Sequence, residues 1–235
     1  MTFQPPRMTL ADTLRDTLQH IENAAEVARR PIPRLVAVSK TRPAAAVAAL
    51  AAAGQRSFGE NYVQEAATKV RELVELSLDW HLIGHLQSNK AELAAQLFDW
   101  VETVDRPKLV GALARHRPAG RAPLNVLIQV NIDDEASKHG CAPADVPALA
   151  AAVVAEPRLA LRGLMCIPIP HADPELRRPA FRQMKTLFDA LAARHPGVDT
   201  LSMGMSDDYA IAIAEGATTV RIGTALFGPR TPHAA

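Results

Sequence analysis

The stretch Leu35-Val36-Ala37-Val38-Ser39-Lys40-Thr41-Arg42-Pro43 predicts a short buried β-strand that ends on a lysine. Four apolar residues follow the breaker Pro33, and a second proline closes the stretch, which is the boundary pattern of a buried strand. Strand alternation places Val36, Val38 and Lys40 on one face. A partly desolvated lysine loses its proton more easily and can attack an aldehyde to form a Schiff base. The alternative is a strand-end lysine whose ammonium reaches solvent.

The composition indicates a globular protein without a strong overall charge. The chain has 235 residues, of which 48% are hydrophobic and 22% charged, and its formal net charge is +1. This balance gives no general attraction to nucleic acid or to a membrane, so neither is an expected partner. No apolar run approaches the length of a membrane span, and Met1 to Leu10 lacks the apolar segment of a signal peptide. Only two cysteines are present, without metal-binding spacing, so we expect a cytoplasmic protein.

Strand and helix patterns alternate along the whole chain. A helix over 9–28 precedes the first strand, and each strand is followed by a helical pattern. The eight strands are predicted at 35–40, 57–61, 80–85, 100–104, 126–132, 161–167, 200–205 and 219–223. Eight βα units predict a closed (β/α)8 TIM barrel, a single α/β domain over 1–235 with an extra N-terminal helix. A doubly wound open sheet is the alternative, but the glycine-rich dinucleotide fingerprint is missing after the first strand.

Polar residues collect at the predicted C-terminal ends of the strands, where barrels of this kind hold their active sites. These ends carry Lys40, Asn61, His85, Val104, Asn131, Ile167, Ser206, Gly223 and Thr224. Ser206 is predicted to cap the helix after strand seven, while Gly223 and Thr224 follow strand eight. The loops after these two strands often hold a phosphate at a helix N-terminus. Each residue alone is explained by a cap or a turn, but their pairing predicts a phosphate site.

Arg221 lies within the last apolar strand, where an arginine is costly unless it is paired. One explanation is a neighbouring carboxylate, and the other is a ligand whose ring nitrogen accepts a hydrogen bond. A lysine, a phosphate site and a donor for a pyridine nitrogen together predict a pyridoxal phosphate site. Because arginine stays protonated, it leaves the ring nitrogen unprotonated, and the ring is then a weaker electron sink.

Long stretches of the chain closely resemble the pyridoxal phosphate homeostasis proteins, which are relatives of the barrel domain of alanine racemase. The matching stretches are LVAVSKTRP at 35–43, FGENYVQEA at 58–66, WHLIGHLQSNK at 80–90, TVDRPKL at 103–109, VNIDDEASKHG at 130–140, LRGLMCI at 161–167 and SMGMSDDYAIAIAEGATTVRIGTALFG at 202–228. The resemblance implies that Lys40 holds pyridoxal 5'-phosphate as an aldimine. It also implies that Ser206, Gly223 and Thr224 bind its phosphate and that Arg221 faces the pyridine nitrogen. Asn61 and Met165 are expected as additional cofactor contacts.

The same resemblance implies a carrier with little or no turnover, which stores, protects or delivers the cofactor. We expect a monomer, with pyridoxal phosphate-dependent apoenzymes as recipients. An amino-acid racemase is the alternative function, and a Schiff-base aldolase without cofactor is a third. Alanine racemases carry a second domain and a tyrosine base from a partner subunit, whereas Tyr62 and Tyr209 match no such base here. No catalytic residue is therefore assigned.

Histidines and tryptophans outside these motifs have simpler interpretations. His81 and His85 are on one predicted strand face, and with no third ligand evident they are expected to be core or hydrogen-bonded histidines. No metal site is predicted. Lys138 and His139 are expected to be solvated loop residues. Trp80 and Trp100 are expected to anchor the core.

Overall fold

The computed structural model describes residues 8–135 and 139–228, and Lys138 lies outside these ranges. Eight parallel strands form a closed barrel in sequence order, and β8 pairs with β1. They are β1 (Arg34–Val38), β2 (Ser57–Glu60), β3 (Asp79–Leu82), β4 (Trp100–Val104), β5 (Leu124–Gln129), β6 (Leu159–Met165), β7 (Thr200–Ser202) and β8 (Thr219–Ile222). The predicted closed (β/α)8 barrel is confirmed, and the open sheet is excluded.

Helix α1 precedes the first strand, and each strand is followed by a helix on the outside of the barrel. They are α1 (Leu10–Ala28), α2 (Ala44–Ala52), α3 (Val63–Glu72), α4 (Ala91–Leu97), α5 (Pro107–His116), α6 (Val146–Val154), α7 (Arg178–Ala192), α8 (Tyr209–Ala214) and α9 (Thr224–Phe227). Short 3-10 turns span Val74–Leu76, Ser88–Lys90, Pro143–Asp145 and Pro174–Arg177. Within the described ranges, no helix has the length and apolar character needed to cross a bilayer.

The extra helix α1 covers the place where the barrel closes. Thr9 caps it in a capping box with Asp12, which satisfies free backbone N–H groups of its first turn. Its buried residues recur at helical spacing, and the helix packs against α2, α8 and α9. Thr13 Oγ1 also donates a hydrogen bond of 2.9 Å to the backbone oxygen of Leu226. Helix α1 thus contacts both the first and the last βα units of the barrel.

Most apolar side chains of the strands pack outward against the helices in one continuous core. A small apolar cluster lies apart from it and consists of Trp100, Leu127 and Met165. Trp80 and Trp100 are both buried, so their predicted role as core anchors is confirmed.

Seven of the eight strands end one to three residues earlier than predicted, and β4 alone ends where expected. Strand β1 ends at Val38, and the Ser39 N–H extends the pairing once more by donating to Gly59 at 3.0 Å. Arg42 N–H then donates to the Ser39 oxygen at 3.0 Å, which turns the chain away from the sheet. Strand β7 covers only Thr200–Ser202. The residues beyond each strand therefore lie on turns at the mouth of the barrel.

Candidate functional site

A cavity of about 550 Å³ opens at the C-terminal ends of β1, β7 and β8. Its lining residues are Val38, Lys40, Arg42, Met205, Ser206, Asp207, Arg221, Gly223, Thr224 and Ala225. Five of the seven predicted cofactor contacts meet there, namely Lys40, Ser206, Arg221, Gly223 and Thr224. The lining carries three basic side chains against the single carboxylate of Asp207, so the cavity favours an anionic ligand.

Lys40 lies on a tight turn after β1, and its side chain is partly buried. The next residue, Thr41, adopts the left-handed region with φ 64°, which is uncommon for a residue other than glycine. The Thr41 N–H donates to Oε1 of Glu65 at 2.5 Å, so a side chain of α3 holds this conformation. A fixed backbone on both sides limits the positions that the Lys40 amine can reach.

A buried ionic network supports this turn from below. The Lys69 ammonium donates to Oε1 of Glu60 at 2.7 Å, to Oε1 of Glu65 at 2.8 Å and to the Ser39 oxygen at 2.7 Å. Ser39 Oγ also donates to Oε1 of Glu60 at 2.6 Å. Burial raises the pKa of Glu60, and the hydrogen bonds from Lys69 and Ser39 oppose this only in part. This network was not predicted from the sequence, although the charges at positions 60, 65 and 69 lie close together in the sequence.

Arg221 lies inside the barrel, and its paired position on β1 is Val36. Its Nη1 donates to Ser202 Oγ at 2.6 Å, and its Nη2 donates to the backbone oxygen of Cys166 at 2.8 Å. Ser202 Oγ in turn donates to Oε2 of Glu102 at 2.6 Å. The carboxylate considered as a partner for Arg221 therefore exists, but a serine hydroxyl stands between the two charges.

The network continues from Glu102 to His81. His81 Nδ1 lies 2.7 Å from Oε1 of Glu102, and its ring stacks on Trp100 at 5.2 Å. Burial alone would raise the pKa of Glu102, but the hydrogen bond and charge of His81 and the charge of Arg221 lower it overall. His81 Nε2 is buried without a hydrogen-bond partner among the described residues. His81 is thus a hydrogen-bonded histidine of the barrel interior, as expected.

Ser206 does not cap a helix, so that prediction is wrong. Helix α8 begins at Tyr209, and Asp208 is its N-cap residue. Oδ1 of Asp208 accepts the Met205 N–H at 2.6 Å, and Oδ2 accepts from Arg177 at 2.6 Å. This buried ion pair moves the helix start beyond Ser206, which instead lies in the preceding turn and lines the cavity.

Gly223 and Thr224 lie at the start of the short helix α9. Gly223 has a negative φ of −123°, and a Cβ there would lie 3.1 Å from the Val38 oxygen and 3.2 Å from Val38 Cβ. The absence of a side chain thus permits the close approach of β8 to β1, whereas the sequence suggested close approach to a ligand. Thr224 is exposed at the cavity wall and adds a hydroxyl there.

Asn61 and Met165 do not line this cavity. Asn61 borders a neighbouring cavity of about 490 Å³, together with Tyr62, Gly84, His85 and Lys90. Met165 is fully buried against Trp100 and Leu127. Arg42 and Asp207 line the cavity without having been predicted, although each lies within two positions of a predicted contact.

Comparisons with known proteins agree with this geometry. The sequence profile described as "Alanine racemase, N-terminal domain" matches residues 13–231. A Pseudomonas aeruginosa protein named "Pyridoxal phosphate homeostasis protein" is 54% identical over 224 residues, which cover 94% of this chain and 96% of that protein. A protein of the same name from Escherichia coli K12 is 55% identical over 199 residues, covering 83% and 85% of the two chains.

A solved structure supports the same assignment. The structure of PipY from Synechococcus elongatus PCC7942 with PLP bound matches with a TM-score of 0.81 and 38% identity, covering 94% of this chain and all of that one. The fold and the lysine-bearing cavity define a barrel of the alanine racemase N-terminal class. Within that class, the chain belongs to the pyridoxal phosphate homeostasis protein family. The resemblance inferred from the sequence motifs is thereby confirmed.

Proposed function

We propose that this chain binds pyridoxal 5'-phosphate in the cavity of Lys40 and acts in the intracellular homeostasis of that cofactor. One observation carries the proposal, namely that a primary amine, two arginines and two hydroxyls line a single cavity. The relatives named pyridoxal phosphate homeostasis protein and the PLP-bound PipY structure support it. The proposal treats residues 1–235 as one functional domain.

Each lining residue has a distinct role in the proposed site. When bound, pyridoxal phosphate supplies an aldehyde that condenses with a primary amine and a ring that withdraws electrons. Lys40 supplies the amine, and Ser206 and Thr224 donate hydroxyl hydrogen bonds to phosphate oxygens. Arg42 and Arg221 supply the positive charge that an anion needs. Gly223 has no side chain and therefore allows β8 to lie close to β1 at the cavity.

Arg221 is the proposed partner of the pyridine nitrogen. Its hydrogen bonds to Ser202 and Cys166 use only part of the donor capacity of a guanidinium and leave N–H groups for a ligand. Its fixed charge donates a hydrogen bond but does not transfer a proton to that nitrogen. The chain therefore holds the ring in a state that gives little support to α-proton removal.

A carrier fits these residues better than a racemase. Racemisation of an amino acid by two bases needs a second proton-transfer group across the ligand from the lysine. Tyr62 is exposed and borders the neighbouring cavity, while Tyr209 begins α8 and packs against the core. Neither tyrosine is among the residues that line the Lys40 cavity. An amino-acid racemase is thus the second candidate, supported only by the amine of Lys40 in the cavity.

The cellular setting is part of the proposal. We infer a cytoplasmic monomer that delivers the cofactor to pyridoxal phosphate-dependent apoenzymes. Cys141 and Cys166, both within the described ranges, are buried and not disulfide-bonded, which suits a reducing compartment. Light scattering of the purified chain tests the monomer, and transfer to an apoenzyme with restored activity tests delivery.

Reduction with borohydride tests the central claim. The purified protein is expected to be yellow, and reduction is expected to fix the label on Lys40. Peptide mapping separates this residue from Lys69, Lys90, Lys108, Lys138 and Lys185. A label on one of these other lysines contradicts the proposal. Incubation with L- or D-alanine gives the second readout, because enantiomer conversion at enzyme-like rates favours the racemase.

A further inference from the structure

Two imidazoles and a carboxylate meet at the ends of three neighbouring strands, outside the Lys40 cavity. His85 follows β3, Asp105 follows β4, and His139 lies in the loop after β5. One potential ligand atom from each lies within 4.8 Å of the other two. The His85 and His139 rings stack with their centroids 3.6 Å apart, and His85 Nδ1 lies 3.8 Å from Oδ2 of Asp105.

We propose that His85, Asp105 and His139 form a binding site for a divalent transition-metal ion of the Zn²⁺ type. Two imidazole nitrogens and one carboxylate oxygen are a donor set that suits zinc with an open coordination position. His85 and Asp105 are too far apart for a hydrogen bond. Their separation is close to the roughly 3.0–3.5 Å expected between donor atoms that share an ion at about 2.0–2.2 Å.

Binding requires a small rearrangement of the two rings. Stacked, nearly parallel imidazoles do not aim their lone pairs at one point, so at least one ring must rotate to share an ion. Both histidines are exposed, which leaves room for this rotation. Asp105 is mostly buried and provides the fixed third ligand.

The surrounding groups orient these ligands, as in established metal sites. Arg106 Nη1 donates to Oδ1 of Asp105 at 2.5 Å, and its Nη2 donates to the Leu86 oxygen at 3.0 Å. This contact occupies one carboxylate oxygen and leaves Oδ2 facing His85. The guanidinium also places a positive charge nearby, which weakens cation binding. The proposal thus requires the three ligands together to outweigh that charge.

The backbone at His139 is held close to the barrel. Gln129 Nε2 donates to the His139 oxygen at 3.2 Å, and the Cys141 N–H donates to the Gln129 oxygen at 2.9 Å. Gly140 has φ 126°, and a Cβ there would lie 2.5 Å from the Asn131 nitrogen. Only glycine fits this turn, so His139 is brought back over the strand ends by the local fold.

This site is separate from the proposed cofactor site. His85, Asp105 and His139 do not line the cavity of Lys40, and His85 borders the neighbouring cavity with Asn61 and Lys90. Metal binding at these residues therefore adds a property to the proposed function. It is also measurable without any readout from the cofactor.

Zinc titration of the full chain against a chromogenic chelator tests the proposal. The parent protein, freed of metal by dialysis against a chelator, is expected to bind one Zn²⁺ that His85→Gln, Asp105→Asn and His139→Gln each weaken at least about ten-fold. His20→Gln, an exposed histidine of α1, is the matched control and is expected to keep parental affinity. Zinc binding is also expected to persist in Lys40→Ala, which excludes the Lys40 amine as a zinc ligand.

Other results overturn the metal site. If the three variants bind zinc as tightly as the parent, or if the parent binds none, the stacked histidines serve packing only. Thermal unfolding without metal verifies that each variant is folded, and the conservative Asp105→Asn change keeps the test informative if a histidine variant unfolds. Borohydride labelling of Lys40 in the same variants is expected to be unchanged. Failure of the metal site is thereby distinguished from failure of the cofactor site.

Discussion

Lys69 and Glu60 form an ion pair of 2.7 Å beneath the turn that carries Lys40, and both side chains are almost completely buried. The same ammonium also donates to the Ser39 oxygen, so it connects the turn after β1 with β2 and α3. A buried pair of this kind is costly to break, because the remaining partner stays buried and uncompensated. The pair therefore supports the position of Lys40 without lining the cavity.

Replacing Lys69 with methionine tests this support. We expect Lys69→Met to lower the free energy of unfolding by about 3–5 kcal/mol, because Glu60 remains buried without its cation. Chemical denaturation measures the loss. Lys185→Met is the matched control, since Lys185 pairs with the exposed Asp189 on one helix face and is expected to cost less than about 1 kcal/mol. Equal losses in the two variants contradict the buried role.

Glu102 is expected to make the free energy of unfolding depend on pH. Its pKa lies below the ordinary 4.5 because the favourable interactions with His81, Arg221 and Ser202 outweigh burial. An acid with a lowered folded-state pKa stabilises the protein above its ordinary value, and that contribution is lost as the pH falls through the lower folded value. We expect Glu102→Gln to flatten the decline in unfolding free energy below about pH 4.5.

Denaturation curves at a series of acidic pH values measure this slope. Glu72→Gln changes an exposed glutamate at the end of α3 and is expected to keep the parental slope. A Glu102→Gln protein with the same acid dependence as the parent argues against the lowered pKa.

Ser206 and Asp207 are adjacent in the cavity wall. We expect Ser206 to raise the affinity for the phosphorylated ligand and Asp207 to lower it. In the proposed site, Ser206→Ala is expected to remove a charge-assisted hydrogen bond to phosphate, worth about 1.5–3 kcal/mol or roughly ten-fold or more in affinity. The loss should appear with pyridoxal phosphate and be much smaller with unphosphorylated pyridoxal. Asp207→Asn removes the like charge and is expected to tighten binding of the phosphorylated form by up to about five-fold. Fluorescence titration with both ligands measures these effects, and equal weakening of both by Ser206→Ala refutes phosphate recognition there.

Gly223 is expected to be intolerant of a methyl group. In Gly223→Ala the new Cβ would meet Val38 at 3.1–3.2 Å, and we expect a loss of about 1–3 kcal/mol as β8 and β1 separate. Gly111→Ala is the control, because nothing lies within 4 Å of its added Cβ in helix α5. That change is expected to stabilise the protein by about 0.5–1 kcal/mol. Thermal unfolding compares the two, and a neutral Gly223→Ala contradicts the close approach.

Local sequence patterns were sufficient to predict the barrel and many of the residues that line the cavity. The eight βα units predicted the closed barrel, and the breakers around β1 placed Lys40 at the end of that strand. Ser206 was assigned the wrong role because Asp207 and Asp208 are equally good cap residues. In the folded chain Asp208 also pairs with Arg177, which is remote in sequence and which no local pattern reveals.

The remaining features depend on contacts between distant segments. His85 showed no third ligand in the sequence, because His139 reaches it only through the fold of the loop after β5. Asn61 follows the last residue of β2 and turns toward the neighbouring cavity, since the strand ends one residue earlier than predicted. Lys69 resembled a surface lysine of an amphipathic helix, and nothing local revealed the buried carboxylate that accepts from it.

The pairing of β8 with β1 has a consequence for biosynthesis. Lys40 comes from the first βα unit, whereas Gly223 and Thr224 come from the last, so the cavity forms only when the barrel closes. Contacts of this sequence separation form late and slow the folding reaction. While β8 is still inside the ribosome, the cavity around Lys40 therefore lacks the residues that follow β8. In the proposed function, capture of the phosphorylated aldehyde then requires that β8 has docked against β1, and a high-affinity complex reports this docking.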